Sequence, residues 1–139
     1  MLLWTGVSRN ANPILSAQRI NAIEGRNVEA MMKLSDLAQT FHRMMVNGES
    51  LKSLAAVINE GWLQKRKMAD GITNPKIDEW HQAIMRCGAW GAKLCGAGGG
   101  GFLFVLAPVH VHRDILEATG LREIRYQIEM EGSKVVYEN

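Results

Sequence analysis

The chain has 139 residues, 47% of them hydrophobic and 22% charged, and its 16 basic and 14 acidic residues leave a formal charge of +2. These are ordinary proportions for a globular domain with one core. So balanced a charge gives no argument for nucleic acid or an anionic membrane as partner, and no run approaches the ~18 apolar residues that a span requires.

In chain order, residues 2–5 read as a short buried strand closed by Gly6. An apolar segment directly after Met1 is read as a hint of truncation. Asn12-Pro13 predicts a helix start, with Asn as N-cap and Pro at the first helical position. Val28, Met31, Leu34, Ala38, Phe41 and Met45 recur at helical spacing, and Asn47-Gly48 ends that helix. Ser50 caps a third helix with the apolar stripe Leu51, Leu54, Ala55, Ile58 and Trp62. Asn74-Pro75 opens a fourth that buries Ile77, Trp80, Ile84 and Met85 and stops at Gly88. Beyond Gly88 the pattern becomes strand-like. Residues 92–95 and the apolar run 102–106 flank a glycine-rich loop, and the second run reads as a fully buried strand. Residues 113–119 form a short helix ended by Gly120. Residues 123–130 alternate strictly, with Ile124, Tyr126, Ile128 and Met130 on one side, which predicts a strand paired by 135–137. Strands and helices mixed without regular alternation predict an α+β fold, with helices packed on one face of a mainly antiparallel sheet.

The loop Gly96, Ala97, Gly98, Gly99, Gly100, Gly101 is the feature that points to function. Five glycines in six residues cost backbone entropy, a cost tolerated where the backbone must approach a ligand or adopt positive φ. Successive exposed amides can hold an anion. The loop matches the string G-x-G-x-x-G, but the dinucleotide fingerprint must lead into a helix, and here Phe102-Leu103-Phe104-Val105-Leu106 leads into a strand. The sequence contains no G-x-x-x-x-G-K-[ST] loop.

The segment Gly91-Ala92-Lys93-Leu94-Cys95-Gly96-Ala97-Gly98-Gly99-Gly100-Gly101-Phe102 resembles the third signature motif of the GHMP kinases. Thr5-Gly6-Val7-Ser8-Arg9, the helix carrying Trp62 and Lys65, and Gly71-Ile72-Thr73-Asn74-Pro75-Lys76-Ile77-Asp78 resemble the branch acting on heptose 7-phosphate, to which the fucose kinase C-terminal domain is related. The resemblance covers essentially the whole chain. It implies a ferredoxin-like GHMP C-terminal domain over residues 1–139, without the N-terminal ATP-binding domain. It also implies ATP and Mg²⁺ as cofactors, a sugar phosphate as substrate, and transfer to the anomeric hydroxyl of a heptose 7-phosphate. Residues 96–101 then line the nucleotide and substrate pocket, and Arg9 and Lys65 become candidates for a substrate phosphate, because guanidinium and ammonium groups suit that anion. The family's P-x-x-x-G-L-G-S-S-A loop is absent from the sequence, as are the residues for magnesium and the catalytic aspartate. The expectation is therefore no catalytic residue and no metal site in this chain, and no kinase turnover by it alone. Its partner is expected to be the missing N-terminal domain, or a second copy through the same docking face. A stand-alone binding domain is the second reading.

The remaining constellations have plainer explanations. His110 and His112 lack further ligands and read as a surface loop. Cys87 and Cys95 lack redox or zinc spacing; they read as buried thiols in a reducing cytoplasm. Lys65-Arg66-Lys67 complements a helix C-terminus, and Asp78 and Glu79 sit at a helix start, each favoured there by the helix dipole.

Overall fold

The computed structural model describes residues 1–132, 134, 135 and 137. Strand β1 (Leu2–Trp4) is followed by helices α1 (Asn12–Ile23), α2 (Val28–Val46), α3 (Leu51–Lys65) and α4 (Pro75–Arg86). Strands β2 (Gly91–Leu94) and β3 (Phe102–Leu106) come next. A 3-10 turn (Val109–Val111), helix α5 (His112–Thr119) and strand β4 (Arg122–Glu123) complete the order. The sheet runs β2-β3-β1-β4, antiparallel at every pairing. This is the predicted α+β architecture.

Alternation along the strands sorts the sheet into two faces. Leu3, Ala92, Leu94, Leu103 and Val105 are fully buried. They pack with Ile72, Ile77, Ile84 and Ile115 from the α4–α5 side of the molecule, where Ile14 of α1 and Trp62 of α3 join the core. Each Leu, Ile or Val among them is worth roughly 1.5–3 kcal/mol when fully buried. Leu2, Trp4, Phe102, Phe104 and Leu106 point the other way and are half-buried. Strand β3 is thus buried on one face, where a fully buried strand was expected. Trp4 and Phe102, opposite each other in the register, hold their rings 4.9 Å apart.

Helix α2 packs on α3, and α3 lies along β2. The contact between α3 and β2 is backbone on backbone. A Cβ on Gly91 would fall 2.0 Å from the Ala55 carbonyl oxygen, so only glycine fits there.

Helix boundaries follow the predicted caps with one correction. Ser50 Oγ accepts from Ser53 N–H at 3.1 Å, and Asn74 Oδ1 accepts from Lys76 and Ile77 N–H at 3.1 and 3.0 Å. Asn12 is not a cap. It lies inside α1, Ala11 precedes it in helical conformation, and Asn10 Oδ1 accepts the Asn12 N–H at 3.0 Å.

The C-terminal expectation is also corrected. The strand predicted over 123–130 is only Arg122–Glu123, extended by an Ile124 N–H bond to Leu2 O at 2.8 Å. Past that bond no described strand runs alongside. Ile128 and Met130 stay exposed, at 75% and 86%. Of the expected return strand, Val135 and Tyr137 are not in a strand and Val136 lies outside the described residues. The cysteines, expected buried, are half-buried and unpaired.

Candidate functional site

The glycine loop joins β2 to β3 and is tied down from several directions. Gly99 N–H donates to Ile72 O at 2.9 Å and Gly101 N–H to Val7 O at 2.8 Å. Gly101 O accepts from both the Thr5 N–H, at 2.9 Å, and the Thr5 hydroxyl, at 2.8 Å. Gln18 of α1 donates to Ala97 O at 3.4 Å, and the Lys65 ammonium donates to Gly96 O. A loop held at this many points is a fixed surface, not a flexible hairpin tip.

The glycines divide the work between packing and presentation. Gly98 has φ +119°, and a Cβ there would lie 2.7 Å from both Cα and O of Ile72. A Cβ on Gly100 would lie 2.8 Å from Val7 O. These positions are glycine because neighbouring backbone presses on them. Among the described residues, Gly99 and Gly101 N–H are satisfied, whereas Gly96, Ala97, Gly98 and Gly100 N–H meet no protein acceptor. Gly99 is buried and the four with free amides are not. Free donors clustered on one rigid turn suit an anion.

The structure brings Arg9 and Lys65 to this loop. Arg9 is exposed, and its Cδ lies 3.2 Å from where a Cβ on Gly99 would sit, so its stem crosses the loop's middle. Lys65, at the last turn of α3, reaches the loop's start at Gly96. Burial pushes the Lys65 ammonium below its ordinary pKa, and the like charge of Lys93 pushes it further; Cys95 opposes both weakly. Neither lysine forms an ion pair with a described carboxylate.

Sequence reasoning missed three contributors. Thr5 anchors the loop's far end and Gln18 its second carbonyl. Asp78 does more than complement a helix dipole: it accepts from Thr73 Oγ1 at 2.6 Å and pairs with Arg66 at 3.0 Å. That pair fastens the end of α3 to the start of α4, so Arg66 is structural while its neighbour Lys65 faces the loop. No periodicity separates these two adjacent cations.

Among the described residues, no three His, Cys, Asp or Glu side chains converge into a ready-made metal site. His110 is exposed, and His112 Nε2 lies 3.3 Å from Ala107 O at the start of α5. Among the described residues, no helix is long and apolar enough to cross a membrane.

The family described as "GHMP kinases C terminal" matches residues 29–118. D-glycero-alpha-D-manno-heptose 7-phosphate kinase of Campylobacter jejuni is 23% identical over 104 residues, covering 75% of this chain and 30% of that enzyme. Mevalonate kinase of Pyrococcus horikoshii is 40% identical over 84 residues, covering 58% of this chain and 24% of that enzyme. A crystal structure of L. major mevalonate kinase in complex with R-mevalonate superposes with a TM-score of 0.74 at 18% identity, over 86% of this chain and 36% of that one. The chain spans under a third of the length of these curated relatives. The family match covers well over half of the chain, from α2 through the glycine loop to α5, and the superposed structure shares the fold: this chain belongs to the GHMP kinase family, whose members are ATP-dependent kinases, as their C-terminal domain.

Proposed function

We propose that this chain is the acceptor- and phosphate-facing part of a GHMP-type small-molecule kinase whose substrate is a sugar phosphate, a heptose 7-phosphate in the first instance. The observation that carries the reading is the loop's four free amides, at Gly96, Ala97, Gly98 and Gly100, beside the anchored amides of Gly99 and Gly101. Phosphoryl transfer is catalysed mostly by positioning and by neutralising charge on phosphoryl oxygens. Rigid amides and the Arg9 guanidinium supply part of that, and Lys65 adds a cation at the loop's base. Bound ATP would supply the phosphoryl group. This chain's own role is to orient an anion against the loop, and the loop's anchors keep the donors in place without further reorganisation.

Mevalonate as acceptor is the second reading. It is favoured by the 40% identity to the Pyrococcus horikoshii enzyme, whereas the heptose reading draws on the Thr5–Arg9, Lys65 and Gly71–Asp78 patterns and the Campylobacter jejuni relative.

Amide-detected NMR of the chain titrated with sedoheptulose 7-phosphate, mevalonate and inorganic phosphate tests both. Saturable shifts at Gly96, Ala97, Gly98 and Gly100, with Gly99 and Gly101 little changed, are expected for the sugar phosphate. Shifts with mevalonate alone would move the assignment to the second reading, and no saturable shift in the loop with any of the three would sink both. With ATP and Mg²⁺ added, the isolated chain is expected to release no ADP above background.

A further inference from the structure

A concave corner lies three residues back from the loop, on the open side of the sheet. Lys93 stands in register with Phe104 and, by alternation, shares the half-buried face with Phe102 and Cys95. Helices α2 and α3 overhang this corner. A cavity of about 190 Å³ opens between them, lined on its apolar side by Leu34, Leu37, Phe41 and Ile58 and reaching both Lys65 and Lys93. It adjoins a cleft of about 440 Å³ bounded by Phe41, Ile58, Lys93, Cys95 and Phe104. Trp62 lines the same cavity, and its buried indole N–H finds no acceptor among the described residues.

Two features of this corner call for a ligand. The first is charge. Both ammonium groups line the cavity, the charge of Lys93 adds to burial in pushing the Lys65 ammonium below its ordinary pKa, and among the described residues no carboxylate pairs with either. Packing two cations beside an apolar wall is unfavourable unless an anion joins them. The second is shape. Small-molecule sites are concave and mostly apolar, with a few polar groups fixing orientation. Here the polar groups are both cationic and sit at one end.

We propose that this corner binds a small amphipathic anion, a phosphate monoester with a hydrocarbon body, its head between Lys65 and Lys93 and its chain against Phe41, Ile58 and Phe104. An occupant would touch the glycine loop through Lys65, whose ammonium also holds Gly96 O. It would thereby couple the corner to the loop. The site shares Lys65 with the kinase reading but rests also on Lys93 and the aromatic wall, which that reading does not use.

Isothermal titration of the chain with octyl phosphate, kept below its micelle concentration, tests this beside inorganic phosphate and 1-octanol. Octyl phosphate is expected to bind saturably at one site, at least tenfold more tightly than either control. Lys93→Gln is expected to weaken it about tenfold and Phe41→Ala several-fold, while Lys93→Arg stays within about threefold of the parent. Thermal melts of each variant establish folding, and if Lys93→Gln does not fold, the Phe41→Ala and Lys93→Arg results decide. Octyl phosphate binding no tighter than inorganic phosphate would overturn the proposal. So would affinity unchanged in Lys93→Gln or, where that variant does not fold, unchanged in Phe41→Ala. Loss of the loop's NMR response with octyl phosphate binding intact would instead fail the kinase reading alone.

Discussion

At the scale of single residues, the glycines of the loop are not equivalent. Gly98 combines φ +119° with backbone of Ile72 at 2.7 Å from a would-be Cβ, whereas Gly96 has φ +75° and open space around it. Gly98→Ala must both strain the backbone and push the loop away from Ile72, so a loss of roughly 2–4 kcal/mol is expected. Gly96→Ala meets only the left-handed strain, about 1 kcal/mol. Urea denaturation of the two variants checks this, and equal losses would remove the packing argument. The sequence makes the loop visible as a run of glycines. Which of them pack and which present an amide depends on Ile72 and Val7, both distant in sequence, so no local pattern carries it.

At the scale of elements, two Asn-Pro pairs look alike and behave differently. Asn74 is extended, with φ −150° and ψ 168°, which aims its Oδ1 at the first free amides of α4. Asn12 is already helical, and the residue before it is helical too, at φ −72° and ψ −25°. Asn74→Ala is therefore expected to cost about 1 kcal/mol, and Asn12→Ala to stay within about 0.5 kcal/mol of the parent. Thermal denaturation distinguishes the two, and a comparable loss at Asn12 would restore it as a cap. Helices were legible because their stripes and stop signals are local. The strand expected over 123–130 was not, since alternation marks a residue's fitness for a sheet but cannot supply the neighbour. Beyond the Ile124–Leu2 hydrogen bond the described structure offers none.

At the scale of the whole molecule, His81 ties layers together. It is 6% exposed on α4, and its Nε2 lies 2.8 Å from Asn59 Oδ1 on α3, an acceptor, so Nε2–H donates. Burial pushes its pKa below the usual 6.5, and the Arg66 charge adds to this; the Ala92 backbone and Asp78 oppose it. The unfolded ring takes up its proton near 6.5, the folded ring only at lower pH. Between the two values the unfolded state holds more protons, so this residue's contribution falls as the pH drops below 6.5 and levels off beneath the folded value. His81→Gln, which keeps a donor for Asn59, is expected to lose less stability than the parent between pH 7 and pH 5. Urea midpoints at the two pH values measure it, and parallel losses in both proteins would show that His81 titrates normally.

Local decisions were legible in the chain itself: five helices, three of the four strands in outline, the caps at Ser50 and Asn74, and a glycine loop set between strands, which excludes a dinucleotide turn. These follow from periodicity, capping chemistry and the stereochemistry of glycine and proline, all of which act within a few residues. Long-range packing settles which cation faces the loop and which fastens two helices, that Thr5 and Gln18 anchor the loop, and that Lys93 shares a corner with Lys65. Those outcomes depend on the β2-β3-β1-β4 order and on α3 lying against Gly91, contacts between segments far apart in the chain, where packing and charge rather than local propensity select the partner.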